Sequence, residues 1–91
     1  MRLGLVAILA LTLAACGERE PNVYPQEAQA RFEQSCPRES AVCACTWDAI
    51  TRTVTYEDYE AALARFREEG LMDPRITRAR VQCIERNRGK D

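Results

Sequence analysis

Residues 36–54 read CPRESAVCACTWDAITRTV, and the spacing inside this stretch decides the fold. Pro37 cannot extend a helix that precedes it, because its ring removes a backbone donor and clashes with the preceding turn. Ser40 offers a hydroxyl to the free amides of a helix that starts just after it. Beyond it, Cys43, Trp47, Ile50 and Val54 fall at i, i+4, i+7 and i+11, one face of a helical period. The β-branched end, Ile50 to Thr55, also admits a short strand.

The same period extends in both directions. Upstream, Ala28, Phe32 and Cys36 repeat at four, which predicts a first helix from Gln26 to Ser35. Downstream, Thr55 with Asp58 approximates a capping box that opens a third helix. That helix carries Tyr59, Ala62, Leu63 and Phe66 on one stripe, and Gly70 ends it. Asp73-Pro74 is a cap followed by a proline at the first helical position. It opens a fourth helix whose inner face is Ile76, Ala79, Cys83 and Ile84. The expectation for residues 26–91 is an all-α, disulfide-stapled bundle of about four short helices, with no internal repeat.

The N-terminus has a different character. Met1-Arg2 supplies a positive start, Leu3 to Leu13 is apolar apart from Gly4 and Thr12, and no acid appears before Glu18. This is the layout of an export signal, and it is shorter than the roughly 20 apolar residues of a membrane span. Leu13-Ala14-Ala15-Cys16 follows the apolar run directly. Small side chains at Ala14 and Ala15 let an extended backbone enter a protease cleft, and Cys16 presents a thiol.

This motif resembles the lipobox of bacterial lipoproteins. The resemblance covers residues 1–17 and implies a signal peptide over 1–15, cut before Cys16. It further implies diacylglycerol in thioether linkage on the Cys16 sulfur and an acyl chain on the freed amine. These are covalent lipids (palmitate among them), not dissociable cofactors, and none of the latter is expected. One myristoyl chain binds a membrane only marginally, whereas two or three chains hold a protein there. In enteric members an Asp after the cysteine marks inner-membrane retention. Gly17 at that place points to the periplasmic face of the outer membrane.

Residues 16–25 are read as the lipidated N-terminus and a flexible tether. The segment GEREPNVYP is polar, twice punctuated by proline and without helical period. Nine residues at about 3.3 Å each would reach roughly 30 Å from the lipid surface.

Cys36, Cys43, Cys45 and Cys83 remain. An even count in a short exported chain reads as a disulfide framework, and a core this small seldom supplies more than about 3–5 kcal/mol unaided. Four cysteines allow three pairings. A Cys43–Cys45 bridge within one helical turn is rejected, because the side chains point about 200° apart. Cys43 shares the Trp47–Ile50 face, which favours Cys43–Cys83 in the core with Cys36–Cys45 across the first turn. Cys36–Cys43 with Cys45–Cys83 stands as the alternative. The order Phe32, Cys36, Cys43-Ala44-Cys45 and an aromatic-and-acid helix start looks like small uncharacterised secreted bacterial proteins, a likeness that implies no activity.

Composition narrows the chemistry. There is no histidine, so the side chain most used as general base and metal ligand is absent. Without residues 1–15 the charge is near −2, which is no footprint for nucleic acid. No CxxC knuckle supports zinc, and no metal site is expected. Ser35 and Ser40 have no base partner. Trp47 reads as a core plug, and Tyr56 and Tyr59 divide between core edge and surface. Residues 56–69 carry a net −3, whereas residues 75–91 carry +4. If the last two helices lie antiparallel, the basic end falls beside the acidic start.

These features point to a non-enzymatic, lipid-anchored interaction module of the bacterial envelope, with the bilayer and an envelope protein as partners. Arg86, Arg88 and Lys90 are candidates for contact with anionic headgroups or with that partner. Two rival readings are a thiol–disulfide carrier using Cys43 and Cys45 and an envelope inhibitor or immunity-like protein.

Overall fold

In the computed structural model, which describes residues 20–90, four helices follow in chain order: α1 (Gln26–Ser35), α2 (Ala41–Thr53), α3 (Tyr56–Glu69) and α4 (Pro74–Arg86). Residues 1–15, Cys16 and residues 17–19 lie outside the described part, as does Asp91. No strand occurs among the described residues. The protein is an all-α bundle stapled by two disulfides.

Local chemistry sets the helix ends. Ser40 Oγ accepts from the Cys43 amide at 3.1 Å and opens α2. Thr55 Oγ1 does the same for the Asp58 amide in α3. Asp73 Oδ1 takes the Arg75 amide at 2.8 Å, with Pro74 in the first helical position of α4. Each cap supplies an acceptor to an amide that has no partner within its helix. Gly70 closes α3 at φ 75°, a left-handed conformation that glycine adopts without a Cβ penalty.

The β-branched end of α2 stays helical through Thr53. Thr46, Thr51 and Thr53 hydroxyls donate back to the Val42, Asp48 and Ala49 carbonyls at 2.7, 3.0 and 2.8 Å. Tertiary burial then decides, since Ile50 and Val54 are each only 1% exposed. Burying such side chains contributes about 1.5–3 kcal/mol each, more than the strand preference of a few threonines.

The core gathers Ile50, Val54, Tyr59, Ala62, Ile76 and Ala79. Phe32, Trp47, Leu63 and Met72 pack against it. Trp47, expected as a core plug, is half-buried at the core's edge, with ring centroids 4.9 Å from Phe32, 5.3 Å from Tyr24 and 5.8 Å from Tyr59. Tyr59 is buried, and Tyr56 sits half-buried at the edge.

The disulfides join Cys36 to Cys43 and Cys45 to Cys83. The pairing favoured on sequence grounds, Cys36–Cys45 with Cys43–Cys83, is therefore corrected to its alternative. The reason lies in the position of α2 between two neighbours. Pro37 to Ser40 is too short a link to carry Cys36 away from the first turn of α2, so Cys43 faces α1 there. Cys45 points about 200° around the helix, away from α1 and toward α4. The angle that forbids a Cys43–Cys45 bridge thus also sends the two sulfurs to different helices.

The tether expected over 16–25 is also corrected in its distal part. The Asn22 backbone amide donates to the Thr51 carbonyl at 2.8 Å. Its side-chain amide donates to Thr51 and Val54 carbonyls at 2.9 and 3.1 Å. The Tyr24 hydroxyl donates to Val54 at 2.7 Å. The last carbonyls of a helix have no partners inside it, and this strap supplies them for α2. Val23 points outward, 90% exposed.

The charge asymmetry resolves differently from the antiparallel expectation. Asp58 at the start of α3 is met by Arg75, at the start of α4, at 3.5 Å. The C-terminal basic residues lie elsewhere, as Arg86 shows by reaching Cys45 Sγ at 3.6 Å.

Candidate functional site

The four helices leave an open groove of about 660 Å³ between them. Its floor is α2, through Thr46 and Ile50. One wall is α1, which presents Ala28, Phe32 and Ser35 at i, i+4 and i+7. The facing wall is α4, which presents Thr77, Val81 and Ile84 at the same spacing. Tyr59, Leu63 and Met72 close the side toward α3.

This α4 stripe is separate from the one that makes the core. Ile76, Ala79 and Cys83 are buried against the bundle. Val81 and Ile84, roughly 100° around the helix, are 51% and 41% exposed. Ile84, expected on the inner face, lines the groove instead. The sequence carried a signal for this, because Val81 fits neither the core stripe nor a solvated face.

Four charged residues stand along the groove: Arg31, Glu60, Arg67 and Arg80. Arg31 pairs with Glu60 at 3.6 Å. Arg67 and Arg80 make neither an ion pair nor a side-chain hydrogen bond among the described residues. The groove therefore joins an apolar interior to a net positive rim. A smaller cleft of about 330 Å³ lies between α1 and α2 over the Cys36–Cys43 disulfide, flanked by the Arg38–Glu33 pair at 3.3 Å.

Of the residues singled out in the sequence, Cys16 lies outside the described part. Arg86, Arg88 and Lys90 are exposed. Arg88 is held by Glu85 at 2.8 Å, and Arg86 donates to the Cys45 sulfur at 3.6 Å. The contact with Cys45 sets Arg86 beside the N-terminal half of α2. Asn22 and Tyr24 grip residues 51–55 at its other end, roughly 10 Å further along the helix. Cys43 and Cys45 do not share a bond, and Cys83 is fully buried. Among the described residues no group of three or more His, Cys, Asp or Glu could hold a metal, and no helix is long and apolar enough to cross a membrane.

The perturbed groups Asp73 and Tyr24 are structural. The side-chain hydrogen bond from Arg75 holds the Asp73 carboxyl down at about 2, assisted by the Arg75 amide. Burial pushes the Tyr24 hydroxyl well above its ordinary value near 10, with a smaller push from Tyr59. Neither faces the groove.

No known protein family matches this chain, and no match is found among curated proteins or solved structures.

Proposed function

We propose that this protein is a non-enzymatic, lipid-anchored interaction module of the bacterial envelope. The lipobox-like Leu13-Ala14-Ala15-Cys16 after an apolar run carries the anchoring half of this reading. The basic, partly apolar groove supports the interaction half. Acyl chains on Cys16 fix the chain to one bilayer surface, and Gly17 after the cysteine supports the periplasmic face of the outer membrane.

The strap shortens the reach. With Asn22 attached to the bundle, about six residues separate it from Cys16, or roughly 20 Å when fully extended. Anchoring at so short a distance raises the effective concentration of the groove for anything else on that membrane. Arg86, Arg88 and Lys90, all exposed, are the candidates for contact with anionic headgroups or with an envelope partner.

A thiol–disulfide carrier needs an accessible pair that alternates between bonded and free. Here Cys43 and Cys45 each close a separate staple, which favours a structural role. An inhibitor or immunity-like role is one form the interaction could take, with a stoichiometric envelope enzyme or toxin as partner.

Intact mass of the protein taken from its native membrane tests the reading. The expected mass lacks residues 1–15, includes acyl chains, and is lower by the hydrogens of two disulfides. A mass that retains Met1 with no added lipid would overturn the anchoring.

A further inference from the structure

We propose that the groove between α1 and α4 receives an amphipathic helix with acidic flanks, contributed by a partner protein. This rests on the reading of the chain as an interaction module and names the chemistry of its partner.

The first argument is geometric. Both walls are helices, and each offers a ridge at i, i+4 and i+7: Ala28, Phe32 and Ser35 on one side, Thr77, Val81 and Ile84 on the other. Ridges of this kind are what a third helix engages when it lies between two others. The α4 wall spans about 10 Å from Thr77 to Ile84, or two helical turns. An amphipathic helix set in an apolar groove is read through anchors at that same spacing.

A helix that buries one apolar stripe normally turns a polar face to water. α4 departs from this rule, since it buries Ile76, Ala79 and Cys83 yet exposes Val81 and Ile84 on a neighbouring stripe. It is patterned to pack on two sides, and the bundle covers one.

The second argument is charge. Arg67 and Arg80 border the groove without an ionic partner among the described residues, while Glu60 is already matched to Arg31. An incoming helix with Glu or Asp beside its apolar stripe neutralises both guanidiniums. One with Lys or Arg in those places adds to the repulsion. Complementary charge of this kind selects the partner and fixes its register.

The test uses the full chain as isolated from cells, with both disulfides oxidised. Two capped synthetic helices of about four turns, free of tryptophan, carry leucines at i, i+4 and i+7 with either glutamates or lysines on the flanks. Trp47 is the only tryptophan in the protein. It stacks 4.9 Å from the groove wall residue Phe32, so its emission reports binding. The glutamate helix is expected to bind at least about tenfold more tightly than the lysine helix. The double variant Arg67→Glu/Arg80→Glu should reverse that order. Val81→Asp, an independent change at an exposed position, should weaken both peptides. Unchanged far-ultraviolet dichroism establishes that each variant is folded.

Equal binding of the two helices would overturn the proposal. So would saturation of the site by dodecanoate, which would make the groove an acyl-chain pocket. Dimerisation of the protein alone in sedimentation velocity, lost in the double variant, would overturn it in favour of a second copy. Failure here with acyl mass present on Cys16 removes the groove assignment and leaves the anchoring intact. Binding without acyl mass does the reverse.

Discussion

The Tyr24 hydroxyl donates to the Val54 carbonyl oxygen at 2.7 Å, tying a residue that precedes the first helix to the residue that ends the second. The Tyr24 ring also lies 5.3, 5.4 and 5.4 Å from the rings of Trp47, Tyr56 and Tyr59. One side chain therefore supplies both a cap for α2 and part of the aromatic wall of the core.

Replacing this residue separates the two roles. Tyr24→Phe should cost about 1 kcal/mol, the typical worth of one hydrogen bond, since Asn22 still serves Val54. Tyr24→Ala should cost about 3 kcal/mol through the lost ring contacts. Urea unfolding followed by Trp47 emission measures both. Because burial raises the folded-state pKa of this phenol, its contribution is complete below the ordinary value near 10 and is lost as pH rises beyond it. Equal stability of Tyr24→Ala and wild type would show that the strap is not bound.

The staples should differ in strength. They close separations of 7 and 38 residues, which chain-entropy arguments convert to about 2.4 and 3.9 kcal/mol. Cys83→Ser should therefore lower stability more than Cys36→Ser. The pairing has its own check in double variants. Cys36→Ser/Cys43→Ser should show no free thiol, because Cys45 and Cys83 remain joined. Cys36→Ser/Cys45→Ser leaves two mismatched cysteines and should show two free thiols after denaturation.

Asp73 links the start of α4 to its surroundings. Buried to 8% exposure, it accepts from the Arg75 amide and guanidinium at 2.8, 3.0 and 2.9 Å and lies 3.6 Å from Arg65. Its folded-state pKa is depressed, so its contribution is present above the ordinary value of 3.8 and is lost as pH falls toward about 2. Asp73→Ala should cost about 2 kcal/mol at neutral pH, from the lost cap and ion pair. Its melting temperature should also depend less on pH between 4 and 2 than that of wild type. Parallel pH profiles for the two proteins would argue against this role.

Cys16→Ala bears on the proposed anchoring. The variant should accumulate as a precursor that retains residues 1–15 and takes up no labelled fatty acid. Undiminished labelling of the alanine variant would place the lipid elsewhere or remove the lipobox reading.

Most helix boundaries were legible along the chain, although the β-branched end of α2 also admitted a strand and only the start of α4 was marked. Pro37, Ser40, Thr55 with Asp58, Gly70 and Asp73-Pro74 act on amides and dihedrals within three or four residues, so their effect does not depend on the rest of the fold. The candidate site was legible only in outline. Val81 stood apart from the core stripe of α4, but nothing local revealed that α1 stands opposite it across a groove. Arg67 and Arg80 were two cations among many until the ion pairs of their neighbours were seen.

Asn22 and Tyr24 illustrate the other limit. Their segment has no helical period and reads as a spacer, yet it carries hydrogen-bond donors suited to carbonyls some 30 residues away. A helix C-terminus advertises its need for donors but not where they come from.

By itself, the amino-acid order determined the class of the fold, the four helices and the need for staples, because caps, breakers and period act over a single turn. It determined too that Cys43 and Cys45 point in different directions. Only the tertiary structure decided which helix stands on each side of α2, and hence that Cys36 meets Cys43 and Cys83 meets Cys45. Relative direction around a helix is a local property, whereas the identity of the neighbour found in that direction depends on how the whole chain packs.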